Sequence, residues 1–283
     1  MSETRSGRAV QYGGELLRYD VVLERLPIEL AHVFVPTEFD ASTKAWADDV
    51  LARPHGVASM AALALARQVM SDYDANGMLG AHDMRVLGTD QWRRLLGDRS
   101  ELTLLDVGAG EGQVTDQLRP LCRDVVTTEL SSSMARRLRR RGYRCHGIDV
   151  AEEALPDNER QRFDLIAALN VIDRTSRPYA LIGALAKMLE EGGRLVCAAP
   201  LPLSPHVHVG PMTVRPDEIL PKATESWEAG AAKLAGLFFP ACGLRVTALT
   251  RAPYLCRGTR RAPLVALDDA IFVCKRAGSV VAG

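Results

Sequence analysis

The chain has 283 residues, 47% of them hydrophobic and 25% charged, enough for one large core or at most two. Thirty-five basic and thirty-five acidic residues cancel, so no overall field draws it to nucleic acid, a membrane or an acidic polymer. Its six cysteines form no Cys-x-x-Cys pair and read as buried free thiols, and no signal-like or membrane-spanning apolar run occurs, so a soluble cytoplasmic chain is expected.

Residues 1–14 are polar and glycine-containing and read as a tail. Residues 15–99 read as a helical lobe, with an alanine-rich run from Ala61 to Met70 and a capped amphipathic turn from Asp90 to Leu96. Asn76-Gly77 and Leu79-Gly80 break it before the last helix. From residue 100 to 283 the grain changes to alternating strand and helix, the mark of a parallel sheet covered on both faces. Strands are expected over 102–107, 124–129, 143–148, 163–169 and 194–199, with helices over 112–119, 131–141 and 177–190. Gly192-Gly193 reads as the stop of that last helix. Beyond a helix over 224–241, the runs 244–254 and 270–275 should pair antiparallel at one sheet edge. The expected fold class is α/β, a Rossmann-like sheet of seven mostly parallel strands with an N-terminal helical lobe, which is the class I methyltransferase plan.

In such a sheet the ligand lies beyond the carboxyl ends of the strands. After the first strand stand Asp106, Gly108, Gly110 and Gly112, where the backbone can turn sharply and approach a ligand that any Cβ would meet. Glu129 ends the second strand, placed to accept both hydrogen bonds of a ribose diol, with Leu130 beside it on the cofactor side. The spacing is G-x-G-x-G rather than G-x-G-x-x-G, and Glu111 stands where a pyrophosphate would go. Asp106 adds negative charge, which suits the ammonium and sulfonium of S-adenosylmethionine and repels phosphates. After the third strand, Asp149 is placed to meet an adenine amino group, or simply to cap its own turn, and Val150 to cover a ring face.

Asn170-Val171-Ile172-Asp173-Arg174 follows the fourth strand. Asn170, at the junction of cofactor and acceptor, offers both donors and an acceptor, and Asp173 supplies a carboxylate, a pair that could hold a nucleophilic nitrogen. The plainer reading makes either one a helix cap. His206 and His208 flank Val207 in a proline-bounded loop, but no third ligand is adjacent, so no metal is expected. Arg136, Arg137, Arg139, Arg140 and Arg141 crowd one helix beside the sheet and read as a solvated basic face, not a nucleic-acid site.

LLDVGAGEGQVT, TTELS, ALNVIDR, RAPYLCRG and LDDAIFVCK, in this order, closely resemble the methyltransferase-like protein nine family, also called the DREV family. Upstream, HVFVPTEFDASTKAWADD, ANGMLGAHDM and QWRRLL extend the resemblance to roughly residues 30–276. The resemblance implies a protein-histidine methyltransferase acting on the N-pros nitrogen in His-x-His contexts of other proteins, with S-adenosylmethionine as donor and S-adenosylhomocysteine as product. It implies that Asp106, Gly108 and Glu129 bind the cofactor, and that Asn170, Asp173 and Tyr254 meet the acceptor histidine and its peptide. A monomer working on a peptide or protein partner is expected, with the 201–216 loop helping to form the peptide groove. Pro205-His206-Val207-His208 itself has the His-x-His form, which raises self-methylation. The rival readings are a small-molecule N- or O-methyltransferase and a cofactor-binding scaffold without catalysis.

Overall fold

The computed structural model describes residues 9–278 except 67, 69–73, 76–77, 79–82, 210–211 and 223–224. The expected turns at Asn76-Gly77 and Leu79-Gly80, His82 and most of the 1–14 tail lie outside the described residues. Two short strands, β1 (Val10–Tyr12) and β2 (Glu15–Leu17), form an antiparallel hairpin where a tail and the start of a helical lobe are expected. Leu17 and Tyr19 are buried, so this edge is held by packing on the domain. Helices α1 (Ile28–His32), α2 (Ala41–Ala52) and α3 (Val57–Ala66) follow. Asp40 caps α2, accepting from Thr43 N at 2.7 Å.

A short strand, β3 (Met84–Arg85), precedes α4 (Thr89–Leu96), whose Trp92, Leu95 and Leu96 are buried. Then come β4 (Leu102–Val107), α5 (Thr115–Leu118), β5 (Cys122–Thr128), α6 (Ser132–Arg140), β6 (Arg144–His146), β7 (Phe163–Leu169), α7 (Pro178–Lys187) and β8 (Leu189–Pro200). A separate hairpin, β9 (Val207–Val209) with β10 (Met212–Val214), leads to α8 (Trp227–Lys233), β11 (Leu244–Arg257) and β12 (Leu264–Arg276).

The main sheet has eight strands in the order β3-β11-β12-β8-β7-β4-β5-β6. Seven are the expected ones, parallel from β6 to β8, with β11 and β12 antiparallel at the edge. The eighth, β3, is two residues that pair with Leu255 and Cys256, too short to show a period in sequence. Every residue of β4 is buried, as a central parallel strand requires. Leu105 and Ile166 face one core and Leu104 and Leu165 the other, so the period of two divides the sheet between its covering layers.

Two local corrections follow. Helix α7 stops at Lys187, and Gly192-Gly193 lies inside β8, where the register slips from Phe163↔Leu189 to Leu165↔Arg194. Gly192 has φ 72°, and a Cβ on Gly193 would sit 3.0 Å from the Phe163 carbonyl oxygen, so the glycine pair is a bulge rather than a helix stop. The expected 224–241 helix begins at Trp227 and passes through a π-turn at Leu234–Phe238. Pro240 has no N–H for the Gly236 carbonyl, which removes the ordinary bond there.

Candidate active site

A cleft of about 480 Å³ opens at the carboxyl ends of β4, β5 and β7. The glycine turn forms its floor. Gly108 N and Ala109 N donate to Thr128 O at 2.9 and 3.1 Å, which staples the end of β4 to the end of β5. Gly108 has φ 66°, and a Cβ there would come within 2.9 Å of Val171 Cγ2, so only glycine leaves this floor open.

Glu129 lines the cleft, its Oε2 accepting from Gly110 N at 2.9 Å and its Oε1 from Ser131 N at 2.8 Å. Burial raises its pKa, and the two backbone donors oppose that rise. Leu130 lines the wall and is 68% exposed, an apolar surface offered to a ligand. Val150 lines the wall as well. Asp149 does both things weighed for it, since it lines the cleft while its Oδ1 accepts from Ala151 N at 2.9 Å.

Asp106 stands behind the floor rather than on it. It is 3% exposed and accepts from Thr115 Oγ1 at 2.6 Å. Burial pushes its pKa up to about 7, with Thr115 pulling down and Glu129 adding a smaller rise. A charge at Asp106 therefore reaches a ligand through its field and not by contact.

Beyond the end of β7, Asn170 and Tyr254 line the cleft. Asn170 adopts φ 57°, a left-handed conformation that asparagine tolerates better than most residues, and neither polar atom of its side chain has a hydrogen-bond partner. The Tyr254 hydroxyl lies against Met84 Sδ, and burial drives its pKa well up. Asp173 sits one layer behind Asn170, 2% exposed, with Oδ1 unpartnered and Oδ2 3.8 Å from Arg174 Nε. Burial raises its pKa, and Arg174 and then His206 favour the charged form. Asn170 and Asp173 thus stand at the β7 end and do not cap α7, whose N-terminal Tyr179 and Ala180 amides donate instead to Glu218 Oε2.

The 201–222 segment is stitched to this corner. His206 N donates to the Asp173 carbonyl at 2.8 Å, and Val207 lines the cleft. His206 Nδ1 donates to Ser204 O at 2.9 Å, so its N-pros atom carries the proton rather than a free lone pair. Of the crowded arginines, Arg139 donates to Cys145 O, Arg141 pairs with Asp116, and Arg137 lies 3.8 Å from Glu111. Among the described residues no group of three or more His, Cys, Asp or Glu could hold a metal ion.

Two cleft-lining residues and one buried carboxyl escape sequence reasoning. Asp74 lines the cleft and accepts from Ser131 Oγ at 2.6 Å, but it lies in a stretch whose period predicts only helix. Arg174 also lines the cleft. Asp269 is 0% exposed, in the middle of β12, and its one signal is a charged residue inside the apolar run LDDAIFV.

Asp74, Glu129 and Asp149 place negative charge on the cleft wall, and Gly108 keeps its floor free of side chains. This fits a cationic adenosine cofactor: Glu129 keeps a lone pair on each oxygen for the ribose, and Leu130 and Val150 present apolar surface to a ring. The sheet order and this site define a class I S-adenosylmethionine-dependent methyltransferase. The model of the DREV methyltransferase family matches residues 19–276, and the chain belongs to that family.

The chain is also similar to the ubiquinone biosynthesis O-methyltransferase of Alkalilimnicola ehrlichii, 23% identical over 154 residues. That match covers 52% of this chain and spans 62% of the length of the curated relative. Among solved structures it is similar to magnesium protoporphyrin IX methyltransferase from Synechocystis PCC 6803 with bound S-adenosylhomocysteine, at 14% identity and a TM-score of 0.45, covering 84% of this chain and 96% of that one. It is similar too to the N-methyltransferase NodS from Bradyrhizobium japonicum WM9, at 16% identity and a TM-score of 0.41, covering 66% of this chain and 84% of the other. The two structural likenesses carry no substrate across. Among the described residues no helix is long and apolar enough to cross a membrane.

Proposed function

We propose that this methyltransferase acts on the N-pros nitrogen of histidine in His-x-His segments of other proteins, working as a monomer on an extended peptide. The observation that carries this reading is the pairing of an amide with a carboxyl at one end of the cleft, Asn170 on the wall and Asp173 behind it with Oδ1 unpartnered.

S-adenosylmethionine, when bound, supplies an electrophilic methyl group on a sulfonium. Glu129 would hold the ribose hydroxyls, Leu130 and Val150 would cover the adenine, and Asp149 would meet its amino group. Asp106 and the wall carboxylates favour the cationic ligand by their charge. An imidazole attacks only when neutral and in the correct tautomer, and with a pKa near 6.5 it needs little deprotonation. Asp173 selects that tautomer by accepting from the far ring N–H, which leaves the near nitrogen's lone pair toward the donor and stabilises the imidazolium that forms. Arg174 keeps Asp173 in the charged form this requires, Asn170 orients the ring, and Tyr254 closes one wall. Most of the rate then comes from alignment. The Ser204 carbonyl on His206 Nδ1 argues against His206 as an N-pros acceptor and supports reading the acceptor as a segment of another protein.

Transfer of a labelled methyl group to a His-x-His peptide, compared with the same peptide carrying alanines at both histidines, tests the reading. Label on the first alone supports it. The similarity to an O-methyltransferase of ubiquinone biosynthesis favours a small-molecule acceptor as the second reading. Phenolic turnover without peptide turnover would replace the first reading with that one.

A further inference from the structure

Asp269 interrupts the apolar run of β12, is 0% exposed, and has no hydrogen-bond partner at either carboxyl oxygen. A buried carboxyl in this condition bears a desolvation cost that the neighbouring Asn170 amide and Arg174 offset only in part, so stability does not account for it. Its position is informative. Asp269 pairs with Pro200 at the end of β8, while Asn170 N donates to Ala198 O from the other side of the same strand. Asp269 and Asn170 therefore flank β8, and the unpartnered Asp173 Oδ1 belongs to the same pocket of charge.

We propose that Asp269 is a positioning residue for methyl transfer, its carboxyl bracing the Asn170 amide and the Asp173 carboxylate at the acceptor side of the cleft. The groups that face it are Asn170, Asp173 and Arg174 beyond β7, Tyr254 and Cys256 on β11, Cys197 on β8, and Asp268 on its own strand. Burial raises its pKa well above the carboxylate range and Asp173 adds to the rise, while the Asn170 amide and Arg174 oppose it. Asp269 is then the neutral member of the pair, and Asp173, with Arg174 beside it, the charged one. A protonated carboxyl both donates and accepts. Its carbonyl oxygen accepts from Asn170 Nδ2 and its hydroxyl donates to Asp173 Oδ1, which turns Asn170 Oδ1 toward the acceptor. Asp269 itself touches neither cofactor nor substrate.

The inference rests on Asn170 and Asp173 as the acceptor side, and its test has two arms on the full chain loaded with cofactor. In the first, carbon-labelled aspartate and the Asn170 side-chain amide are followed by NMR. Asp269 should remain protonated through neutral pH. The Asn170 amide signals should shift in Asp269→Leu and return in Asp269→Asn, which keeps a donor and an acceptor. In the second arm, Asp269→Leu should lower kcat on a His-x-His peptide about 100-fold while KM and cofactor Kd stay within about twofold, and Asp269→Asn should restore most of it. Thermal stability of Asp269→Leu should fall below wild type and recover in Asp269→Asn, because leucine leaves the Asn170 amide and the Asp173 carboxylate without their shared partner. An ionised Asp269, an Asn170 amide indifferent to Asp269→Leu, or equal kcat in wild type and Asp269→Leu overturns the proposal. If the wild-type chain leaves the peptide unmethylated, the histidine reading falls, and the NMR arm still decides the role of Asp269.

Discussion

Glu129 accepts one backbone hydrogen bond at each carboxylate oxygen, so the group is fixed in orientation while each oxygen keeps a lone pair for a ribose hydroxyl. Glu129→Gln should weaken cofactor binding by about 10- to 100-fold, since a charge-assisted bond contributes ~1.5–3 kcal/mol, and calorimetry reads this directly. Asp173→Asn should leave that affinity within about twofold while removing most turnover, because it changes the partner of the ring and not the ribose. Equal rates in that variant would remove Asp173 from the mechanism. Asp106 gives a pH dependence with a definite sign. Its folded pKa, about 7 against 3.8 unfolded, means the native state binds the proton more tightly. Wild-type stability without ligand therefore falls as pH rises through that window and is flat above it, with a cost on the order of 4 kcal/mol at ~1.4 kcal/mol per unit. Asp106→Asn should melt higher than wild type at and above neutral pH, and the gap should close as pH falls toward 3.8, where both forms are uncharged. Strand ends made Glu129, Asp149 and Asn170 legible in the sequence. The layer each side chain occupies was not legible, which is why Asp106 and Asp173 stand one shell deeper than their sequence positions imply.

Among the elements, the β4 turn tolerates no side chain on its first glycine without strain. Gly108→Ala combines a left-handed backbone, costing about 1–2 kcal/mol for an L-residue, with an overlap on Val171. The variant should bind cofactor weakly, and Val171→Ala should recover part of the loss in a double-mutant cycle, because the steric part is pairwise. Full additivity would place the whole effect in the backbone. The strands of the parallel sheet were legible because their apolar runs are bounded by turn residues. Gly192-Gly193 was not, since a glycine pair after a helix reads as a stop whether it ends a helix or bulges a strand. The π-turn before Pro240 and the two-residue β3 carry no period at all.

For the whole molecule, the N-terminal segment and the antiparallel edge behave as one body. Arg251 donates to both oxygens of Asp268, at 2.8 and 2.6 Å, and to the Asp20 carbonyl at 2.6 Å, while its guanidinium lies over the Trp227 ring. One side chain thus ties the entry segment, β11, β12 and α8 together. Arg251→Ala should cost about 3 kcal/mol in urea unfolding, since it strands a partly buried carboxylate and removes the contacts to the Asp20 carbonyl and the Trp227 ring. Proteolysis should then start upstream of Val21, next to the lost Asp20 contact. The segment from residue 34 to 37 also meets this edge, through Val35 N on Leu249 O and Thr37 Oγ1 on Arg251 O, so the N-terminal region is packed on the sheet. Composition and period suggested helices upstream and a sheet downstream. The contacts joining them span more than two hundred residues of sequence and leave no local trace.

The bond from His206 N to the Asp173 carbonyl joins the hairpin that borders the entrance to the residue assigned the ring proton. A visitor that shoulders the hairpin aside therefore also tugs the machinery it came to use. Fit at the doorway is converted into tempo at the centre, and exchanges in 201–216 should alter how fast a segment is processed as well as which segment is admitted.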